Sequence, residues 1–286
     1  MRQLRAVLFV ALPLAACGGS GSGNTDAPVV IVPDAAPDAP AIDAPPDAPS
    51  YDFSCEGNAA PTTVATTVTI SGTAQGVTLN GTSPSIDPLA AATIDFCKGD
   101  CTTTNKLDTK TSAADGTFTS SAIPTLTMPI DGYVKTTKAT YRTSNVYPAS
   151  PIVQDVTNVP AVTYSNTAFA MIAGIVVGGG GQSNAKGDLG LLVTDCSNTP
   201  IAGATLDIKQ NGTAVTGTTV FDVSTLSPQA AGTFIVFNVP PGATEVGATY
   251  MGHTLRAHTV LVVGGSGSGG NAVPGQTTAT LIRPGF

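Results

Sequence analysis

The chain has 286 residues, 42% of them hydrophobic and only 11% charged, with 32 glycines, 22 prolines and no tryptophan. The formal charge is −7, and only Glu56 and Glu245 are glutamates. A charge content under half the usual quarter, with Thr, Val, Gly and Ser carrying the sequence, excludes a coiled coil, a helical bundle and a basic nucleic-acid binder.

Residues 1–16 read as a targeting segment: Arg2 and Arg5, an apolar run from Ala6 to Leu14, then small residues. The run is too short to span a bilayer and has the order of a secretory signal. The junction Leu14-Ala15-Ala16-Cys17, followed by Gly18-Gly19, resembles the lipobox of bacterial lipoproteins. That resemblance implies cleavage before Cys17 and a mature N-terminus at Cys17 carrying acyl chains such as palmitate. The alternative is an ordinary signal with an incidental cysteine. Several acyl chains hold firmly, since each buried methylene contributes about 0.8 kcal/mol. Gly18 is not an aspartate, which by resemblance to the enterobacterial sorting pattern implies the outer membrane of a Gram-negative cell envelope.

Residues 17–54 read as a disordered tether. Seven acids (Asp26, Asp34, Asp38, Asp43, Asp47, Asp52 and Glu56) fall between Asp26 and Glu56 with no base among them. The acidity therefore belongs to this leader, and the rest of the chain is nearly neutral, without an electrostatic footprint for nucleic acid. The Pro-Asp-Ala repeat lacks backbone donors at each proline and repels itself, so it stays extended and reaches on the order of 100 Å.

From Thr62 the pattern becomes all-β: short alternating runs separated by Gly, Pro and Asp, as in a β-sandwich. In a first module, 55–164, the expected strands are Thr67–Ser71, Ala92–Phe96, Gly116–Thr119, Gly132–Thr136 and Ala139–Arg142. A helix is expected from Asn166 within the connection 165–177, capped by Ser165 or Asn166, with Phe169, Ile172, Ile175 and Val176 on one face. The glycine run Gly178–Gly181 lacks the ending of a phosphate loop and reads as a flexible joint. In a second module, 178–286, strands are expected at Leu189–Asp195, Ile201–Ile208, Gly232–Phe237, Thr244–Tyr250, His253–Val263 and Thr277–Ile282, with a turn at Cys196–Pro200.

The blocks Val193 to Leu206 and Gly232 to Gly242 resemble the carboxypeptidase regulatory-like domain, a transthyretin-like antiparallel β-sandwich. Gly203-Ala204 suits a crowded strand start, and Pro240-Pro241-Gly242 a turn between paired strands. The first module resembles the same family more loosely through Pro88–Ile94 and Ala114–Phe118. Two such modules make an internal duplication.

Setting Cys17 aside leaves Cys55, Cys97, Cys101 and Cys196, an even number that in an exported chain points to disulfides with three possible connectivities. Cys97 and Cys101 bracket a tight turn and are expected to pair, which leaves Cys55 with Cys196. A zinc site is the rival, with only one closely spaced pair to offer. His253 and His258 lie on one strand and fall on opposite faces if it is regular. The Gly232–Gly242 strand also resembles one in iron-dependent intradiol dioxygenases. Their His-x-His spacing is here His-x4-His, however, and the tyrosine after the Pro-Gly turn is replaced by Ala243 or Thr244. The Gly265–Gly269 string matches a serine-nucleophile elbow only inside a Gly/Ser-rich stretch. Tyr133, Tyr141, Tyr147 and Tyr164 are candidates for a binding patch, and Asp95, Asp100, Asp108 and Asp115 for calcium, against core packing and solvated loops.

The sequence therefore leads to the expectation of a lipid-anchored, non-catalytic envelope protein. It needs no cofactor or metal and presents its modules to an envelope protein or polysaccharide. A carbohydrate or small-ligand binder is the alternative, and an iron dioxygenase-like enzyme the remote one.

Overall fold

The computed structural model describes residues 50–59, 61–80, 83–178, 182–225, 230–266 and 275–285. The expected signal peptide, Cys17 and almost all of the tether lie outside them, as do most of the Gly178–Gly181 run and part of the Gly265–Gly269 string.

The first half contributes β1 (Thr67–Val68), β2 (Ile70–Asn80), β3 (Ser83–Pro88), β4 (Thr93–Lys98), β5 (Lys106–Thr111), β6 (Thr117–Thr119), β7 (Ile123–Pro124), β8 (Gly132–Thr137), β9 (Ser144–Tyr147) and β10 (Val156–Tyr164). Helix α1 (Asn166–Val177) follows. The second half contributes β11 (Gly187–Val193), β12 (Thr205–Gln210), β13 (Thr213–Ala214), β14 (Thr219–Asp222), β15 (Thr233–Val239), β16 (Gly242–Tyr250), β17 (His253–Val262) and β18 (Thr277–Ile282). The all-β class follows from this content: among the described residues the helical ones are α1, the 3-10 turn Val223–Thr225 and Ala230.

One eight-stranded sheet, in the order β14-β15-β11-β18-β9-β8-β4-β5, runs through both halves. Its two ends are each faced by a smaller sheet. β10-β2-β3, with β6 also on β2, belongs to the first half, and β13-β12-β16-β17 to the second. Most pairings are antiparallel; β2–β10, β11–β18 and β18–β9 are parallel. The last of these joins the halves, pairing Ser144 to Tyr147 with Thr277 to Thr280. Residues from Tyr51 onward accordingly form one compact unit.

Three cores follow from side-chain alternation. Val68, Ile70, Ile94, Phe96, Phe118 and Ile123 fill the first half. Leu189, Leu191, Phe234, Val236, Leu255 and Val260 fill the second, and that core also takes in Cys97, Tyr133 and Tyr147 from the first half. The opposite side of β15 presents Ile235 and Phe237 to Phe169 and Ala173 of α1. The unbroken apolar run Phe234–Phe237 is thus buried on both faces of β15, with α1 as the cover of one.

Several local expectations need correcting. Ser165 is the N-cap, accepting from Ala168 N at 3.2 Å, but Ile175 points outward and is 73% exposed. Ala139–Arg142 is a turn rather than a strand, closed by Tyr141 N donating to Lys138 O at 3.1 Å, with Thr140 at φ 69°. Pro240-Pro241-Gly242 does not join paired strands. β15 lies in the large sheet and β16 in the facing one, so the prolines, which cannot donate to a ladder, turn the corner between layers. Gly203 is not crowded, since a Cβ there would meet nothing within 4 Å; its φ of +74° is what calls for glycine.

Gly72 is the contrasting case. A Cβ on it would fall 2.1 Å from Val159 O on β10 and 2.8 Å from Phe118 Cζ. Gly72→Ala is expected to lose about 1–3 kcal/mol of stability by overpacking. Gly174→Ala, in α1 with open space around it, is expected to gain up to about 1 kcal/mol from helix propensity. Urea denaturation of the two variants reads both signs.

Candidate functional site

The densest polar constellation lies where the halves meet. Thr136, Ser144, Thr277 and Asp188 occupy one transverse row across β8, β9, β18 and β11, and all four are buried. Asp188 is fully buried and faces Arg142, itself only 5% exposed, with Nη2 at 2.7 Å from Oδ2. Gln182 Nε2 also donates to that carboxylate and Asn238 N approaches it at 3.4 Å. Arg142 reaches the row from the turn after β8. Its backbone N donates to Tyr164 O at 2.9 Å, its Nη2 also donates to Gly275 O, and its guanidinium carbon lies 3.9 Å above the Phe169 ring. Four segments distant in sequence therefore converge on one ion pair.

Burial dominates the electrostatics of that pair. It pushes the Asp188 carboxyl up to about 6 in spite of the neighbouring guanidinium, and it lowers Arg142 against the opposing pull of Asp188. An acid raised in the folded state favours folding most when protonated. The contribution is complete below the ordinary value of 3.8 and is lost as pH rises through about 6. Wild-type stability is expected to fall by a few kcal/mol between about pH 4 and 6 relative to Asp188→Asn, whose amide does not titrate. Urea melts of both proteins across that window measure the difference.

A second constellation fixes the start of the body. Residues 51–56, at the end of the expected tether, lie as a strap on the second half. Cys55 is disulfide-bonded to Cys196. Asp52 N donates to Asp195 Oδ2 at 2.9 Å, Cys196 N to Asp52 O at 2.8 Å and Ser197 Oγ to Asp52 Oδ2 at 2.9 Å. Tyr51 packs edge-on to Tyr250 at 5.2 Å, and Phe53 stacks on His253 at 3.8 Å. Glu56 receives His253 Nδ1 at 2.7 Å and Thr254 N at 2.9 Å, and these two bonds, the histidine's first, hold its carboxyl below the usual range. The second disulfide, Cys97–Cys101, closes the turn after β4. Both expected pairings are present.

The other residues singled out from the sequence do not assemble. Between the pairs Val246↔His258 and Ala248↔Leu255, one residue of β16, Gly247, opposes two of β17, Arg256 and Ala257. This bulge, absent from any regular alternation, brings Leu255 and His258 to the same buried side. The two histidines still have separate surroundings. His253 rests on the strap, whereas His258 packs edge-on to Tyr147 at 5.9 Å, and burial lowers its pKa. Tyr133 and Tyr147 stack on each other in the core at 4.6 Å, Tyr141 packs on the first core and Tyr164 on the third, so the four tyrosines make no surface patch.

The aspartates each serve their own neighbourhood: Asp95 bonds Thr109 and Lys106, Asp108 bonds Ser121 N, Asp100 bonds Asn105, and Asp115 bonds Thr117. Among the described residues no three His, Cys, Asp or Glu side chains are grouped to hold a metal, and no helix is long and apolar enough to cross a membrane. Sequence reasoning passed over Arg142 and Asp188 as functional residues. The signal available for Asp188 was a charge directly before the apolar strand residues Leu189 and Leu191 in a chain poor in charge; Arg142, between Tyr141 and Thr143, carried none.

The strap disulfide closes a separation of 141 residues and the turn disulfide one of 4. From loop-closure entropy, the Cys55→Ser/Cys196→Ser variant is expected to lose about 5 kcal/mol and Cys97→Ser/Cys101→Ser about 2 kcal/mol. Denaturant midpoints of the two double variants compare them directly.

No family model and no curated protein matches this chain. Among solved structures it is similar to the Bacillus anthracis TIE protein, at 11% identity and a TM-score of 0.23, over 76% of this chain and 33% of that one. A streptococcal ancillary pilin is similar at 11% identity and 0.23, over 77% and 62%. A shaft pilin from Lactobacillus rhamnosus GG follows at 10% and 0.23, over 77% and 99%. The chain thus spans less than two thirds of the first two. Overlap this loose assigns neither a fold family nor a role.

Proposed function

We propose that this chain is a lipid-anchored protein of the bacterial cell envelope whose β-sandwich body acts without catalysis, as a structural or interaction module on an extended leash. The reading is supported first by the leader: an apolar run ending in Leu14-Ala15-Ala16-Cys17 and followed by an acidic Pro/Ala/Asp stretch. It is supported next by two disulfides, which persist in exported rather than cytosolic proteins. The observation that carries it furthest is the strap. The stretch expected to lead from Cys17 is covalently fastened at Cys55–Cys196 where it meets the body, as suits a leash that must not peel away.

The half-buried rings nearest the strap favour a structural role over sugar stacking there. Phe53 is stacked with His253, and Tyr51 packs against Tyr250, so these aromatic groups are engaged with one another. The partner under this reading is an envelope protein, held near the outer membrane.

Metabolic labelling with palmitate, followed by membrane sedimentation, tests the anchor. The wild-type chain is expected to take up label and sediment with the outer membrane, and Cys17→Ser to do neither. Labelling retained by Cys17→Ser overturns the reading.

A further inference from the structure

Leu126 is the most exposed large apolar side chain among the described residues, at 82%, and Met128, two positions on, is 67% exposed. Both belong to the turn after β7, which is closed by Met128 N donating to Thr125 O at 3.1 Å. Its central residues Leu126 and Thr127 have φ of 52° and 59°. Two successive positive values suit asparagine and glycine, and they are costly for leucine and above all for a β-branched threonine. The surroundings impose them. Thr125 is buried; its Oγ1 donates to Ala65 O, lies 3.2 Å from Thr66 O and accepts from Thr127 N at 3.2 Å. A turn held against its own preference thus displays Leu126 and Met128, flanked by the exposed Pro124 and Pro129.

The chemistry of this tip points to hydrocarbon. No charged residue occurs from Gly116 to Ile130, so placing the tip in an apolar phase takes no ion out of water. Exposure this high means that each side chain projects from the surface instead of lining a groove. A folded partner would have to supply the whole cavity, whereas fluid acyl chains close around a projecting side chain. The chain ahead of the body supplies the occupant. Residues 18–50 separate Cys17 from Tyr51, and with Cys17 in the membrane an extended tether keeps the body within on the order of 100 Å of lipid. Tethering raises the local concentration of the surface, so that a contact of two side chains, negligible in free solution, becomes significant.

We propose that the Thr125–Met128 turn is a membrane-contact site, at which Leu126 and Met128 enter the headgroup–acyl boundary of the bilayer that holds the chain. The rigid turn sets both side chains in place before contact, so little order is lost on insertion. The partner named here, a lipid surface, rests on the anchoring reading.

The chain has no tryptophan, so Leu126→Trp makes a single-site reporter in the full-length protein as the cell processes it. The purified variant is reconstituted into phosphatidylcholine vesicles. Its emission is expected to shift to shorter wavelength and to be quenched by lipids brominated on the acyl chain. Ile175→Trp, at a 73% exposed position on α1, is expected to show neither change. Adding Met128→Asp to Leu126→Trp is expected to abolish both, with the far-UV circular dichroism unchanged. Vesicle sedimentation reads the anchor separately. Protein that sediments without a shift keeps the anchor and overturns the contact site. Protein that carries no acyl group is mixed with excess vesicles instead, and a missing shift there overturns the site as well. Equal responses from Leu126→Trp and Ile175→Trp, or a response that survives Met128→Asp, also overturn it. So does a shift produced by lipid-free envelope protein and not by vesicles, which would assign the tip to a protein partner.

Discussion

The pairing of β9 with β18 is the constraint on which the rest of the body depends. It lays the sequence just after the first-half turn alongside the last strand of the chain, in parallel register from Ser144↔Thr277 to Tyr147↔Thr280. Parallel neighbours cannot be joined by a short hairpin. This contact spans nearly the whole second half in sequence and is among the most non-local in the molecule. Once formed, it converts two sandwiches into one sheet eight strands wide and brings Tyr133 and Tyr147 into the core of the other half.

The polar groups at this seam fit that role better than they fit stability alone. A buried ion pair seldom repays its desolvation, and the raised Asp188 carboxyl indicates that here it does not. Arg142 and Asp188 can meet only when β8, β9, β18 and β11 are in register, because the one leaves the turn after β8 and the other sits in the row through Ser144 and Thr277. A one-residue slip would bury both charges apart, which is far more costly than the pair itself. The pair thus penalises wrong alignments of the seam.

The fold was legible in the sequence where alternation is local. The strands around Phe96, Phe118, Val134, Phe234, Val246 and Thr280 stand close to where period-two patterns place them, as does α1 behind Ser165. It was illegible where the structure depends on partners far away. The polar strands β3, β5 and β14 show little apolar periodicity because each lies at an edge of its sheet or next to one. The Pro-Pro-Gly corner carries the same residues whether the chain reverses within a sheet or crosses between sheets. The bulge between Val246 and Ala248 is invisible without β16 beside β17. The disulfide partners were deducible because a four-residue separation left one arrangement for the remaining two cysteines. The Arg142–Asp188 pair joins residues 46 apart, and nothing local marks either as the other's partner.

The position of Cys196 has a mechanical consequence. It lies three residues beyond the end of β11, and β11 is flanked by β15 on one side and β18 on the other. A pull on the chain ahead of Tyr51 would enter the body through sulfur and be handed to an interior strand, where two ladders share the tension.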